Sequence, residues 1–451
     1  MPGPTDSRPD AASVLEDLIR LARTAGADAA DALLVDSAAL SLSMRLGRPE
    51  SLERSESGDI GLRVFVGRRM AVVSSTDRSP AMLRELAERA VAMARTVPED
   101  PFCGLADPGA LAHDWPDLDL CDAYEPSAEE LIDAARRVEE AALAVEGVSN
   151  SDGADGSWSR SAVALAASNG FFGGYSVSRR SLSVSVLAGS GTGMERDYDY
   201  HSTVYGADLR PPEEIGRRAG ERAVARLNPR KVRSRQVPVV YDPRVAGGLL
   251  GHLAGAISGS AIARGTSFLK DRLGQPVFAP GIEVVDDPGV RRGLRSKPFD
   301  AEGLRPQRRA IIADGVLTTW IMDLRSSRQL GLASTGHASR GTGGPPSPSP
   351  TNLFLSPGTL SPEALMADIG EGFYITSLMG QGVNGVTGDY SRGASGFWIE
   401  GGRIAYPVSE VTVAGNLKEM FRNLTPASDL ELRHGIDAPT VRIEGMTVAG
   451  T

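Results

Sequence analysis

Residues 245–263 read Val-Ala-Gly-Gly-Leu-Leu-Gly-His-Leu-Ala-Gly-Ala-Ile-Ser-Gly-Ser-Ala-Ile-Ala, a run without a charged side chain. An uncharged run of this length passes a first test for a transmembrane helix. Its glycines, its serines and His252 dilute the hydrophobicity, however, and no aromatic belt flanks it. We therefore expect a helix buried inside a globular domain, and no membrane span.

Four glycines of this helix recur at every fourth position, namely Gly247, Gly251, Gly255 and Gly259. Residues four apart lie on one face of a helix, so these glycines form a groove without side chains. Because glycine lowers helix stability, the stripe predicts that another backbone packs closely against it. We expect that backbone either in the domain core or across a subunit interface.

Length and composition indicate a globular protein. The chain has 451 residues, of which 41% are hydrophobic and 23% charged, and this length favours two or three domains. A net charge of -9 opposes binding to nucleic acids and to anionic membranes. Since 2 cysteines cannot form a disulfide framework and the polar N-terminus lacks the apolar core of a signal peptide, we expect a cytoplasmic protein.

The order of helical and strand patterns predicts an α+β protein of two domains. Ser79-Pro80 and the capping box of Ser127 and Glu130 start amphipathic helices between strand-like runs. A basic, poorly periodic segment near residue 233 then separates an N-terminal α/β domain, 1–232, from a C-terminal domain, 233–451.

Mostly antiparallel β structure around the buried glycine-rich helix is expected in the C-terminal domain. Asp314-Gly315 and Gly401-Gly402 each separate two strand-like runs, which predicts hairpins. The proline-rich segment 338–352 predicts a mobile loop or lid. No internal repeat is visible in the sequence.

Motifs of familiar active sites are weak. The segment Gly380–Gly385 matches G-x-G-x-x-G, but no helix pattern follows that would hold a pyrophosphate, so we exclude a dinucleotide site. A nucleophilic triad can be assembled on paper from His337, Asp389 and Ser391, although no G-x-S-x-G or His-Glu-x-x-His motif supports it.

A series of short motifs stands in one order along nearly the whole chain: Gly61–Val64, Pro98–Asp107, Leu249–Ser260, Thr266–Leu269, Asp286–Pro288, Phe299–Gly303, Ser334–His337, Asn384–Gly393, Phe397–Glu400 and Ile443–Gly450. Together they resemble the TldD/PmbA family, on its PmbA (TldE) side. Several motifs in one order are more specific than any single one.

The resemblance also indicates what this chain lacks. TldD-type subunits resemble zinc metallopeptidases whose helix carries His-Glu-x-x-x-His, with a cysteine ligand near the C-terminus. Leu250, Gly251 and Gly255 stand where His, Glu and His would be, and no cysteine follows Cys121. Because protein-bound zinc needs imidazole, thiolate or carboxylate donors, we expect no metal and no catalytic residue in this chain, and zinc in a TldD-type partner.

The resemblance thus implies a non-catalytic subunit that pairs with a TldD-type metallopeptidase subunit. Such a complex would cut unfolded or modified peptides, including leader segments removed during peptide maturation. Two alternatives stay open. One is an autonomous hydrolase without zinc that uses His337, Asp389 and Ser391, and the other is a homodimeric peptide-binding module without chemistry.

Substrate contacts are expected where glycines keep one strand accessible to an extended peptide. The segment 380–393 and the loop 335–352 would border the cleft. Asn384 and Asp389 would bond peptide groups and Arg392 would pair with an acidic group, while His337 and Ser391 are further candidates. The alternative is that these polar side chains only cap hairpins.

Overall fold

The computed structural model describes the chain from Arg8 to Thr451, and side-chain environments from Ala11 onward. Its N-terminal part is an antiparallel sheet whose strands are β1 (Ala29–Arg45), β2 (Arg48–Val66), β3 (Arg69–Ser75), β4 (Val148–Ala167), β5 (Phe172–Ala188) and β6 (Glu195–Thr203). The strand order is β3-β2-β1-β4-β5-β6. The helices on this sheet are α1 (Arg8–Thr24), α2 (Pro80–Thr96), α3 (Ala128–Leu143) and α4 (Pro212–Ala225).

The N-terminal part repeats one arrangement of a helix, three strands and a second helix. The first copy is α1, β1–β3 and α2, the second is α3, β4–β6 and α4, and β1 pairs with β4 at the centre. The sequence shows no such repeat, because helices and strands require a spacing of apolar positions and not particular residues.

Side-chain alternation along β1 shows how the sheet is covered. Leu34 packs in the cluster formed with α1 and α2, and Leu42 packs in the cluster formed with α3 and α4. Leu33 points to the opposite face, where it contacts a cluster that includes Phe299 and Leu304 from the C-terminal part. Both helix pairs therefore cover one face, and the C-terminal part packs on the other.

The C-terminal part begins at Arg235 and contains the remaining elements. In chain order these are β7 (Arg235–Tyr241), α5 (Pro243–Ala256), α6 (Gly259–Ala263), β8 (Val284–Asp287), β9 (Arg309–Ala313), β10 (Val316–Leu317), α7 (Leu324–Leu330), β11 (Ala338–Ser339), β12 (Ser347–Pro348), β13 (Asn352–Leu355), α8 (Pro362–Met366), β14 (Glu371–Met379), β15 (Asp389–Glu400), β16 (Arg403–Asn416), α9 (Leu417–Arg422), β17 (Leu424–Pro426), β18 (Ile436–Asp437) and β19 (Val441–Ala449). The domain boundary at 232–233 stays a prediction.

Five of these strands close into a barrel. β7, β14, β15, β16 and β19 form it, since β16 pairs both with β15 and with β19. A second sheet has the order β10-β9-β8-β13-β18, and α5 contacts both units. The predicted α+β class, with a helix inside mostly antiparallel β structure, is confirmed. Among the described residues, no helix has the length and apolar character needed to span a bilayer.

Both predicted hairpins of the C-terminal part are confirmed. Asp314 and Gly315 connect β9 and β10 with φ angles of 47° and 76°, and Gly401 and Gly402 connect β15 and β16 with φ angles of 54° and 79°. These left-handed conformations are the ones that a tight hairpin turn needs, and glycine adopts them without strain.

The proline-rich segment 338–352 is anchored, so the expectation of a mobile lid is wrong. β11 and β12 pair within it, and Arg295 donates a hydrogen bond of 2.9 Å to the carbonyl oxygen of Pro350. The carbonyl oxygen of Thr342 lies so close to Gly61 of β2 that a side chain there would overlap with it. The segment thus packs directly on the N-terminal sheet.

A buried ion network fixes the same segment to that sheet. Asp31 lies 2.7 Å from Arg340 of the loop and accepts a hydrogen bond of 2.9 Å from Arg63. None of the three side chains is more than 4% exposed. Burial by itself raises the pKa of Asp31, but the charges of Arg340 and Arg63 outweigh it and lower that pKa below its ordinary value.

Replacement of Asp31 by asparagine is expected to destabilise the protein by about 3–5 kcal/mol, because two buried guanidinium groups lose their shared carboxylate. Urea unfolding at neutral pH measures this difference. It should begin to shrink as the pH falls below the ordinary carboxyl pKa, where Asp31 of the unfolded wild-type chain takes up a proton. It should be smallest below the lowered pKa of the folded state, where the native side chain also becomes neutral. The exposed pair of Asp17 and Arg20 provides the control, since Asp17→Asn should change stability by less than about 1 kcal/mol. Equal effects of the two substitutions would contradict a structural role for the network.

Candidate functional site

Helix α5 starts directly after the barrel strand β7. Asp242 caps it by accepting a hydrogen bond of 2.9 Å from the backbone N–H of Arg244, and Pro243 occupies the first helical position. The helix ends at Ala256, and α6 begins at Gly259 after a short turn. The single helix predicted over 245–263 is therefore two helices, and Gly259 belongs to a different one from the other three glycines.

One side of α5 is open to solvent. Gly248, Gly251 and Gly255 are exposed, and a Cβ atom added at any of them would meet no other atom within 4 Å. We call these three residues the open face of α5. The opposite side carries Leu249 and Leu253, which are buried in the core between the barrel and the second sheet.

Close packing occurs only at the ends of the glycine stripe. A Cβ atom at Gly247 would lie 2.8 Å from the carbonyl oxygen of Ile436, and one at Gly259 would lie 2.6 Å from the Oγ of Ser326. The alternative of close packing in the domain core thus holds at these two ends and not at Gly251 and Gly255, and the alternative of a subunit interface stays a prediction. At the centre of the stripe, the space next to the helix is free for another molecule.

The open face includes two of the three positions that the resemblance matches to His-Glu-x-x-x-His. Gly251 and Gly255 lie on it, whereas Leu250 is buried in the core. Neither glycine nor leucine has a metal-binding donor, so these positions do not fit the metal. Over the described residues, no group of three or more His, Cys, Asp or Glu side chains is arranged to hold a metal ion.

Strand β15 places an aromatic and a cationic side chain beside α5. Tyr390, Arg392 and Ala394 alternate along this strand and share one face, and Tyr390 and Ala394 are buried in the core. The ring of Tyr390 meets the ring of His252 edge to face, with centroids 5.9 Å apart. This contact brings the inner face of β15 next to α5.

The aromatic groups around Arg392 are held neutral. Burial, and secondarily the positive charge of Arg392, lower the pKa of His252. Burial also raises the pKa of Tyr390 and, much further, that of Tyr241 on β7. Within this group of side chains, the guanidinium of Arg392 therefore carries the charge at neutral pH.

Two of the predicted substrate contacts instead stabilise the turn between β14 and β15. Asn384 Oδ1 accepts hydrogen bonds of 2.9 and 3.2 Å from the backbone N–H groups of Val386 and Thr387. Asp389 accepts hydrogen bonds of 2.6 Å from Thr387 and 3.0 Å from Asn416. This geometry favours the alternative in which Asn384 and Asp389 cap a hairpin.

The structure does not assemble the triad drawn from the sequence. His337 is buried and lies 2.9 Å from Thr335 and 3.0 Å from Asp286, so it belongs to the core that anchors the proline-rich segment. Asp389 is hydrogen-bonded within its own turn, and Ser391 is exposed on the outer face of β15. The autonomous hydrolase is not favoured by this arrangement.

Family comparisons agree with this architecture. Three models of one family match consecutive parts of the chain: PmbA/TldA metallopeptidase domain 1 at residues 30–94, the central domain at 121–227 and the C-terminal domain at 234–450. The chain belongs to the PmbA/TldD family.

Curated relatives of the PmbA type cover almost the entire chain. Metalloprotease PmbA of Escherichia coli O157:H7 is 41% identical over 425 residues, which are 94% of this chain and 92% of that protein. The Metalloprotease PmbA homolog of Haemophilus influenzae is 38% identical over 96% of this chain and 94% of its own length. A Metalloprotease TldD homolog of the same organism is 26% identical over 60% of this chain and 61% of its own length.

Solved structures of this fold are similar along their whole length. A Bacteroides thetaiotaomicron protein, described as a candidate modulator of DNA gyrase, matches with a TM-score of 0.91, 27% identity and coverage of 98% of this chain and 99% of its own. TldE from Thermococcus kodakarensis matches with a TM-score of 0.86, 20% identity and coverage of 96% and 99%. At that identity the second comparison shows the fold alone.

The sequence indicates Arg392 as a candidate substrate contact, but it does not indicate which side chains surround it. The contact between His252 and Tyr390 joins a helix to a strand far along the chain, so no local pattern announces it. A local signal did exist for β15. Side chains alternate along a strand, so Arg392 shares the inner side with Tyr390, whereas Ser391 lies on the outer side.

Substitution of single glycines by alanine tests whether the open face and the packed end of the stripe differ in their effect on stability. Gly251→Ala and Gly255→Ala should each stabilise the isolated chain by roughly 0.5–1 kcal/mol, because alanine favours the helix and its methyl group meets no atom. Gly259→Ala should destabilise it by roughly 1–3 kcal/mol through the overlap with Ser326. Thermal and urea unfolding measure the series, and destabilisation by all three substitutions would show that the face is not open.

Removal of Arg392 should change the titration of its neighbour on α5. In Arg392→Gln the pKa of His252 is expected to rise toward its ordinary value without reaching it, because burial remains. NMR titration of the imidazole C–H signals measures the shift. Arg403→Gln, which removes an exposed arginine from β16, is the control and should leave this titration unchanged. An unaltered His252 titration in Arg392→Gln would mean that the two groups are not neighbours.

Proposed function

We propose that this chain is the non-catalytic, PmbA/TldE-type subunit of a metallopeptidase complex that degrades or matures unfolded or modified peptides. A TldD-type partner supplies the zinc and the hydrolytic chemistry. The observation that carries the proposal is the open face of α5, where Gly251 and Gly255 leave free space at the positions that the resemblance matches to the glutamate and the second histidine of His-Glu-x-x-x-His.

The missing side chains of the open face support a role in binding. Glycine in an exposed helix costs stability relative to alanine, and no described atom of the chain lies within 4 Å of a Cβ position at these glycines. A backbone from another molecule gains most from such a surface, because it can approach the helix closely. In this proposal a peptide substrate lies between the open face and the partner subunit.

Exposed apolar side chains at the nearby turn fit the same role. Met379, the last residue of β14, and Val386, in the turn between β14 and β15, are each 56% exposed. The turn is attached to the chain following α6, since the backbone N–H of Phe268 donates a hydrogen bond of 3.0 Å to the carbonyl oxygen of Gly385. Exposed apolar groups next to a groove are typical of surfaces that bind another chain.

The proposed roles of the two subunits can be tested with an unfolded, casein-like substrate. Cleavage is measured for three samples: this chain alone, a TldD-type partner alone, and their mixture. We expect strong cleavage only in the mixture, and no stoichiometric zinc in this chain after a chelator wash, because the expected ligand positions offer no donor. Cleavage by this chain alone, or tight one-to-one zinc in it, would contradict the non-catalytic role. Full activity of the partner alone would contradict the need for a complex.

A bulky residue on the open face refines this test. Gly255→Leu should abolish most of the turnover in the mixture while leaving the thermal unfolding of the isolated chain nearly unchanged, because the added side chain points into free space. The matched control is Glu88→Leu, which adds a leucine to an exposed position of α2 and should leave turnover intact. If both variants are fully active, the open face is not part of the cleft.

A further inference from the structure

Arg392 has no partner among the described residues. Its guanidinium group makes no ion pair and no hydrogen bond to them, and its Nε atom is buried. The terminal Nη groups are not among the buried atoms without a partner, so they are accessible to solvent or to a ligand. Several other partly buried arginines are paired with carboxylates, for example Arg244 with Asp197 at 2.7 Å and Arg222 with Asp199 at 2.8 Å, whereas Arg309 also has a buried Nε atom without a partner.

Three elements near Arg392 each contribute a neutral aromatic group. His252 comes from α5, Tyr241 from β7 and Tyr390 from β15 itself. A partly desolvated cation without a counter-charge is unfavourable, and proteins normally pair such groups. A fixed guanidinium with free Nη groups at the edge of an open cleft is arranged to receive an anion, and its planar fork matches a carboxylate.

We propose that Arg392 binds a carboxylate of the peptide that occupies the cleft beside the open face of α5. This inference rests on the proposed function, because it takes the ligand to be a peptide. The carboxylate has two possible sources in a peptide, the C-terminus and an acidic side chain. Arg392 would thereby give preference to acidic or C-terminal segments in a cleft that otherwise contacts only the backbone.

Four fluorescein-labelled Ala/Ser peptides distinguish the sources. Each peptide has either a free or an amidated C-terminus and either a glutamate or a glutamine at its centre. Fluorescence anisotropy measures the affinity of each peptide for the full chain and for the mixture of this chain with the TldD-type partner. Loss of the recognised carboxylate should weaken binding roughly tenfold, the effect of one charge-assisted hydrogen-bonded pair. Equal affinities of all four peptides, or no binding in either sample, would overturn the inference.

Variants of Arg392 assign the preference to this side chain. Arg392→Gln should abolish the difference between charged and neutral peptides, and Arg392→Lys should retain part of it, because lysine keeps the charge but not the fork. Arg403→Gln is the control for a general loss of positive charge and should behave as wild type. A preference that persists in Arg392→Gln would overturn the inference.

Thermal unfolding distinguishes a binding role from a structural one. Arg392→Gln should melt at the same temperature as wild type or higher, because it removes a charge that has no ion-pair or hydrogen-bond partner among the described residues. A clearly lower melting temperature together with unchanged peptide preference would assign Arg392 to the core. Light scattering measures separately whether each variant associates with the partner. A variant that does not form the complex can therefore be distinguished from one that forms it but no longer binds the carboxylate.

Discussion

The packing of α5 against two β units is the constraint on which the site depends. Leu249 and Leu253 are buried between the closed barrel and the second sheet, and this sets the rotation of the helix about its axis. With the leucine side fixed in the core, Gly251 and Gly255 must face outward. The same packing brings His252 against Tyr390 and thereby places the inner face of β15 beside the open face. The open face is thus a consequence of core packing and not of a flexible loop.

A second constraint holds the two parts of the molecule together. The segment 338–352 carries Arg340 into the N-terminal sheet, where it meets Asp31 and Arg63. Buried ions of this kind are stable only as a complete set, because the loss of one partner leaves a desolvated charge. His337, at the start of that segment, is hydrogen-bonded to Asp286 and serves the same connection. The polar residues that looked most reactive in the sequence therefore contribute to structure.

The site is defined more by absent side chains than by catalytic groups. A member of the PmbA/TldD family that has leucine and glycine at the expected ligand positions cannot hold the metal there, but it gains room for a backbone. This suits the proposed non-catalytic subunit, in which the open face and Arg392 would bind the peptide while another subunit supplies the chemistry. Proteins that accept unfolded chains of varied sequence depend on backbone contacts in this way, and a single guanidinium can add selectivity without a shaped pocket.

Local patterns in the sequence were sufficient for the fold class, the helix caps and the hairpins, because caps and tight turns depend on a few neighbouring residues. The motif series was sufficient for the family. Side-chain environments were not predictable in this way. Whether a glycine stripe faces a core or solvent depends on which elements surround the helix, and the sequence alone favoured close packing where Gly251 and Gly255 are open. Whether Asn384, His337 or Arg392 finds a partner depends on contacts between distant segments, which only the tertiary structure decides, because each such contact forms when the whole core assembles.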